Sequence, residues 1–333
     1  MIHFINRFEY GARMAFYIIA GMLPLWFIPR SIGIDLGREV TFVSLIALGV
    51  ILWLLSVLTR GQIRYAHSVA LYAGALLIVI ASVSTIFSKA PIFSALLADP
   101  TAEKLSSLVA GFLAMIAIGS VFTSYKEAGT ALLVFLFASA AAALASLLQF
   151  LFGIHVFQIF SSFAQENDFN VIGTTNGLAL FYAACFAIGL GILFSSSFGN
   201  WKLWVRYGVY ASLIFFFANL LAINFRTVWM ILAGCAFFLF GFIFRMTKSE
   251  VSEVGKRYNF GWRHWGALGF LAFCIVMILI QKPLFGSLNL PAEVTPSFST
   301  TLEIAKSVYR EGNKAIIFGS GPGTFHLDWA HYR

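Results

Sequence analysis

The chain has 333 residues, 60% of them hydrophobic and 11% charged, with a mean hydropathy of +0.87. An ordinary soluble domain carries roughly 45–50% apolar and about 25% charged residues, so this composition excludes a water-solvated globule. The formal charge of +8 falls mainly on connections between apolar runs, where it marks membrane orientation and a preference for anionic lipid head groups; it does not argue for nucleic acid.

Crossing the hydrocarbon core as a helix takes about 20 apolar residues, and runs of that kind recur at 12–29, 39–58, 68–87, 105–122, 130–152, 173–194, 204–222, 227–244 and 265–281. Backbone groups in lipid must be paired within their own segment, so the runs predict nine helices. The expected fold class is all-α: a polytopic membrane helix bundle over 1–281, then an extracytoplasmic loop over 282–333. The first run has no small-x-small cleavage pattern after it and reads as a retained signal anchor.

Orientation follows from lysine and arginine in the short connections. With the N-terminus cytoplasmic, twelve basic residues (Arg7, Arg13, Arg60, Arg64, Lys126, Lys202, Arg206, Arg245, Lys248, Lys256, Arg257 and Arg263) lie inside. Five (Arg30, Arg38, Lys89, Lys104 and Arg226) lie outside. The bias favours a cytoplasmic N-terminus, and nine crossings then put everything after Gln281 outside. The stretch 245–264 reads as a short charged cytoplasmic connection. Cys185, Cys235 and Cys274 each sit inside an apolar run, which argues against a disulfide framework or a zinc site.

Polar chemistry concentrates at the predicted outer ends. In the loop before the sixth helix, Glu166 and Asp168 are either an acid/base pair or a solvated acidic loop. Gly173-Thr-Thr-Asn-Gly-Leu-Ala179 opens that helix. There Thr174, Thr175 or Asn176 can cap it, and bare N–H groups can face an anion. Arg226 follows the seventh helix with almost no loop to carry it away from the membrane. A guanidinium at that depth can fork onto a phosphate or pyrophosphate, or simply anchor a helix end by snorkelling. Asn224 beside it is a cap or a polar contact.

The closing segment mixes proline, glycine, serine and charge. Leu302, Ala305, Val308 and Tyr309 recur at helical spacing, with Glu303, Lys306 and Arg310 opposite, so 300–310 is expected to be an amphipathic helix that packs Leu302, Ala305 and Val308. Pro296 and the stretch 297–301 supply breaker and cap before it, and Gly312 a stop after it. Gly319-Ser-Gly-Pro-Gly-Thr-Phe325 lacks the Gly-Lys-Ser/Thr ending of a phosphate loop and precedes no helix-opening pattern of a dinucleotide fold. Three glycines and a proline at this density make a tight turn that brings backbone close to a substrate or to neighbouring helix ends. His326, Asp328 and His331 match no standard metal spacing. The loop has no closing element, and the sequence reads as a fragment of a longer protein.

Taken in order, Asn176-Gly-Leu-Ala179, Arg226-x-x-Trp229 and the amphipathic helix followed by Ile317-Phe-Gly-Ser-Gly-Pro-Gly-Thr-Phe325 resemble the O-antigen ligase and polymerase family of bacterial envelope glycosyltransferases, over roughly residues 40–333. The resemblance implies about twelve spans in a full-length member and a periplasmic loop after the ninth, with a catalytic-region histidine late in that loop, beyond Arg333. It implies a multi-pass protein of the bacterial inner (plasma) membrane, acting in lipopolysaccharide or polysaccharide biosynthesis of the cell envelope. Its donor would be a polyprenyl-pyrophosphate-linked glycan and its acceptor a glycan or lipid hydroxyl, with membrane lipids around it and no nucleotide sugar, cofactor or obligatory metal. Arg226 would be the catalytic residue; Asn176, Lys306, Arg310, Gly319, Gly321 and Gly323 would contact substrate. Two departures stand out: Phe225 replaces the serine that usually precedes the family arginine, and Thr300 and Thr301 stand where the loop helix often carries an arginine. The competing readings are a secondary transporter or flippase for a lipid-linked or anionic solute and a non-catalytic polytopic scaffold. Transporters often place ionisable residues at the bilayer midplane or use broken, repeated helices, and neither is evident in these runs.

Overall fold

A computed structural model describes residues 2–26, 34–62, 68–97, 104–159, 173–195, 198–254, 262–280, 298–310 and 312–332. Among these, every regular element is helical: α1 (Ile2–Met22), α2 (Ile34–Arg60), α3 (Val69–Ile86), α4 (Leu105–Val121), α5 (Tyr125–Phe152), α6 (Thr175–Phe194), α7 (Leu203–Ile223), α8 (Arg226–Val254), α9 (Trp262–Leu279), α10 (Phe298–Arg310), α11 (Asn313–Phe318) and α12 (Phe325–Tyr332). A π turn, Phe93–Leu97, follows α3.

Six of these helices are long and apolar enough to cross a membrane: α2 from Glu39, α3, α5, α6, α7 and α8 as far as Arg245. The chain is thus built as a multi-pass membrane protein. Two further apolar helices, α4 and the stretch His264–Leu279 of α9, are shorter. α1 carries Arg7, Glu9 and Arg13 and is not among the six.

Four helices depart from the expected boundaries by five residues or more. α2 and α5 each begin five residues before their apolar runs, at Ile34 and Tyr125, and α1 ends at Met22, seven residues early. α1 also begins at Ile2, about ten residues before the apolar run, because its polar first half finds partners: Glu9 and Arg13 pair one turn apart. α8 runs on through 245–254, expected to be loop. That stretch holds Met246, Lys248, Glu250 and Glu253, which tolerate a helix, and meets no glycine or proline before Gly255.

By packing the chain divides into two compact units, Met1–Val134 with Val294–Arg333 and Phe135–Glu293, the division falling inside α5. It cuts differently from the expected division at 281/282, which follows solvent and not contact. In the first unit, α1 and α2 run antiparallel, and Phe16 lies against Gly49, where an added Cβ would meet its ring at 3.1 Å. One end of this unit gathers Arg13, Glu9, Glu127 and Arg60 into a chain of ion pairs. The other holds Lys104 against Glu39 at 2.8 Å, and Glu39 also accepts from Ser107 at 3.0 Å.

The second unit has an aromatic interior. Tyr182 stacks on Phe216, Phe186 on Phe217, and Phe217, Trp229 and Phe273 meet one another. Small residues let backbones approach, as at Gly189, where a Cβ would lie 2.8 Å from Leu213. Uncharged polar groups tie helices together in the interior, as they do in lipid: Asn219 donates to the Ala143 carbonyl at 2.9 Å, and Ser146 and Tyr182 share a hydrogen bond of 2.9 Å.

Candidate functional site

In the second unit, the elements that carry Asn176 and Arg226 share one end. α6 packs antiparallel on α7, and two residues join α7 to α8, so α6 and α8 both start there. Thr174 caps α6, accepting from the Gly177 N–H at 3.0 Å. That settles which of three candidates is the cap and leaves Asn176, half-buried, in the first turn.

The α7–α8 joint turns on Asn224. Its backbone lies in the left-handed region (φ 46°), the one such non-glycine among the described residues; asparagine tolerates this better than most. Its N–H closes α7 on the Leu220 carbonyl at 2.9 Å. The side chain then works in both directions, donating to the Ile280 carbonyl at the end of α9 (3.1 Å) and accepting from the Trp229 indole N–H (2.7 Å). Trp229 is fully buried, so the first turn of α8 is pinned from inside. Arg226, on that turn, is exposed. The arrangement fixes the base of the side chain and leaves its guanidinium outward, as binding a diffusing anion requires.

In the first unit, the glycine-rich turn docks on the end of α3 and the π turn. Ser84 donates to the Phe318 carbonyl (2.6 Å), Ser88 to Ser320 (2.5 Å) and Ser94 to Pro322 (2.8 Å). Three serine hydroxyls thus capture every second carbonyl of the turn. Gly321 is required by this approach: its φ is +114°, and an added Cβ would lie 2.6 Å from Ser88 Oγ and 2.9 Å from Ser94 Oγ. Gly319 and Gly323 flank it at φ 69° and 71°. Of the two uses the sequence leaves open for these glycines, close approach to a helix end is observed at Gly321. The turn also opens a helix, α12, in a stretch expected to be loop.

α10 forms over the expected residues, but its buried stripe is Ile304 and Val308. Leu302 and Tyr309 are exposed and Ala305 is half-buried, correcting the expected Leu302–Ala305–Val308 face. In the described contacts α10 packs on α11 and α12, two short helices that cover only one i, i+4 stripe. Lys306 and Arg310 are exposed. Glu166 and Asp168 lie outside the described residues, as do Pro296 and Ser297.

His326 and His331 part company. His326 lies against Phe93, with ring centroids 5.1 Å apart and the planes tilted by 50°, whereas His331 and Asp328 line a cavity of about 240 Å³ with Lys89, Ala90, Ser320, Thr324 and Leu327. Among the described residues no three His, Cys, Asp or Glu side chains are placed to hold a metal. Sequence reasoning misses Ser84, Ser88, Ser94 and Lys89; the serines' small size and the i, i+4 spacing of Ser84 and Ser88 at the end of an apolar run are the available signal. No family model, curated protein or solved structure matches the chain.

Proposed function

We propose that the chain is a membrane glycosyltransferase of the O-antigen ligase/polymerase type, working at the extracytoplasmic face of a bacterial plasma membrane. On this reading the nine helices α1–α9 cross the membrane with the N-terminus inside, and α10–α12 belong to the outer loop. The donor is a glycan on a polyprenyl pyrophosphate. The acceptor hydroxyl oxygen attacks the anomeric carbon, the bond from that carbon to the pyrophosphate oxygen breaks, and the lipid pyrophosphate leaves with the electron pair. The acceptor proton passes to a base or to water.

The observation that carries the proposal is Arg226: an exposed guanidinium on the first turn of α8, whose start is held by Asn224 and the buried Trp229. A fixed cation at head-group depth meets the pyrophosphate where its charge grows as it leaves, and such preorganised charge is worth most in the transition state. Removing one preorganised donor typically costs about 10²–10³ in rate, so Arg226→Ala should lower transfer by about that factor. Arg226→Lys keeps the charge but loses the two-pronged fork, and should fall nearly as far. The measurement is glycan transfer from a lipid-linked donor in a strain lacking its own enzyme, normalised to the amount of protein in the membrane. Normal transfer by well-expressed Arg226→Ala would sink the proposal and leave Arg226 as a helix anchor.

A further inference from the structure

The geometry points to the cavity between the glycine-rich turn, α12 and the end of α3 as a binding subsite for a single sugar residue, with Asp328 as its principal hydroxyl acceptor. The subsite rests on the glycosyltransferase reading for its biological meaning, while its chemistry follows from the cavity itself.

At about 240 Å³ the space falls below the ~300–1,000 Å³ of pockets that take drug-sized ligands; it suits one pyranose ring and excludes an oligosaccharide. Its lining matches such a ring. A sugar presents hydroxyls around its edge and C–H groups on its faces. Ala90 and Leu327 give an apolar surface, and Lys89, Ser320, Thr324, Asp328 and His331 give donors and acceptors around it.

Asp328 is the organising group. Its residue is 8% exposed, yet it lines the cavity, and its place is set by the Ser320 hydroxyl. Ser320 Oγ donates to Asp328 Oδ2 at 2.5 Å, while Thr324 Oγ1 donates to the Gly321 carbonyl at 2.8 Å and lies 3.0 Å from Ser320 Oγ. Ser320 is itself held through its carbonyl by Ser88. A carboxylate offers about four acceptor positions and Ser320 takes one; vicinal hydroxyls of a sugar can use others. A carboxylate on the cavity wall also disfavours a phosphate there, through like-charge repulsion. Lys89 and His331 are exposed at the rim, and Lys89 Nζ stands 6.0 Å over the Tyr332 ring, which orients the ammonium by its attraction to the aromatic face. The Lys89 ammonium and a ring N–H of His331 can donate to ring or hydroxyl oxygens while Asp328 accepts.

The test is direct binding by the full chain in lipid nanodiscs, read by saturation-transfer NMR with glucose, galactose and N-acetylglucosamine as probes and empty nanodiscs as control. Saturable transfer is expected for at least one probe, with affinity at least tenfold weaker in Asp328→Asn. Ala90→Phe, which fills the cavity without replacing either partner of the Ser320–Asp328 hydrogen bond, should abolish it; this second variant keeps the test decisive if Asp328→Asn fails to reach the membrane. Three results would overturn the subsite: no sugar signal above the control, a signal unchanged in Ala90→Phe, or a signal displaced by inorganic phosphate, which would mark an anion site. The two proposals separate cleanly. Sugar binding without any glycan transfer would sink the transferase and keep the subsite; glycan transfer by the unaltered chain with no sugar signal above the control would do the reverse.

Discussion

The end of the second unit that carries Arg226 and the docked turn of the first unit solve opposite problems. At the α7–α8 joint, one buried aromatic and one asparagine hold the backbone, and the charged side chain beside them stays exposed. At Gly319–Gly323 the backbone itself is engaged: three carbonyls go to serine hydroxyls, and the turn's own Ser320 hydroxyl reaches Asp328. A glycine-rich stretch in a loop invites a reading as a ligand cradle. In this chain the alternate carbonyls are committed to protein, Gly321 makes room for the serines that hold them, and the proposed sugar subsite lies beside the turn.

That contrast can be broken at several points. The largest effect is expected at the joint. Trp229→Ala removes a fully buried aromatic and deprives Asn224 Oδ1 of its donor, and large-to-small core changes of this kind cost about 3–5 kcal/mol. Thermal unfolding in detergent should show a large drop, with lost hydrogen-exchange protection over 220–232. Full protection there would mean that the Asn224–Trp229 pin is ornamental.

Next comes Gly321→Ala, which combines a left-handed backbone with a collision against Ser88. Strain of this sort costs about 1–3 kcal/mol, and the turn should undock, exposing 313–332 to limited proteolysis. Unchanged protease resistance would mean that the docked turn tolerates a side chain at this position. The smallest effect belongs to Ser84→Ala: one net hydrogen bond of about 1 kcal/mol, visible as faster amide exchange in α11 and α12 but not as loss of folding. If Ser84→Ala matched Gly321→Ala in severity, the three serines would act as one cooperative latch and not as separate bonds.

Legibility from sequence differs between the two places. Helices are readable because apolar run length and breakers are local properties; the expected ends of α3, α4, α6 and α7 agree with the described ones within about two residues. The starts of α1, α2 and α5 and the end of α8 escape that reading because charged residues stay helical beyond the apolar run. Arg226 is conspicuous as a single arginine in the short gap between two apolar runs. The face of α10 is not, because periodicity states that a helix has a face while the partner decides how wide it is. Ser84, Ser88 and Ser94 are ordinary serines until a loop more than 200 residues away lies across them.

The sequence by itself determined a helical membrane chain, its polar helix ends and the arginine at the joint of two helices, because hydropathy, helix length and charge act within a few residues of where they are written. Only the tertiary structure decided that Asn224 bridges α8 to α9, that Ser88 is what Gly321 makes room for, and that Asp328 and His331 face one cavity while His326 packs at a tilt against Phe93. Each of these depends on groups far apart in the chain arriving within hydrogen-bond or van der Waals distance, and contact at that range is set by packing, which no local pattern encodes.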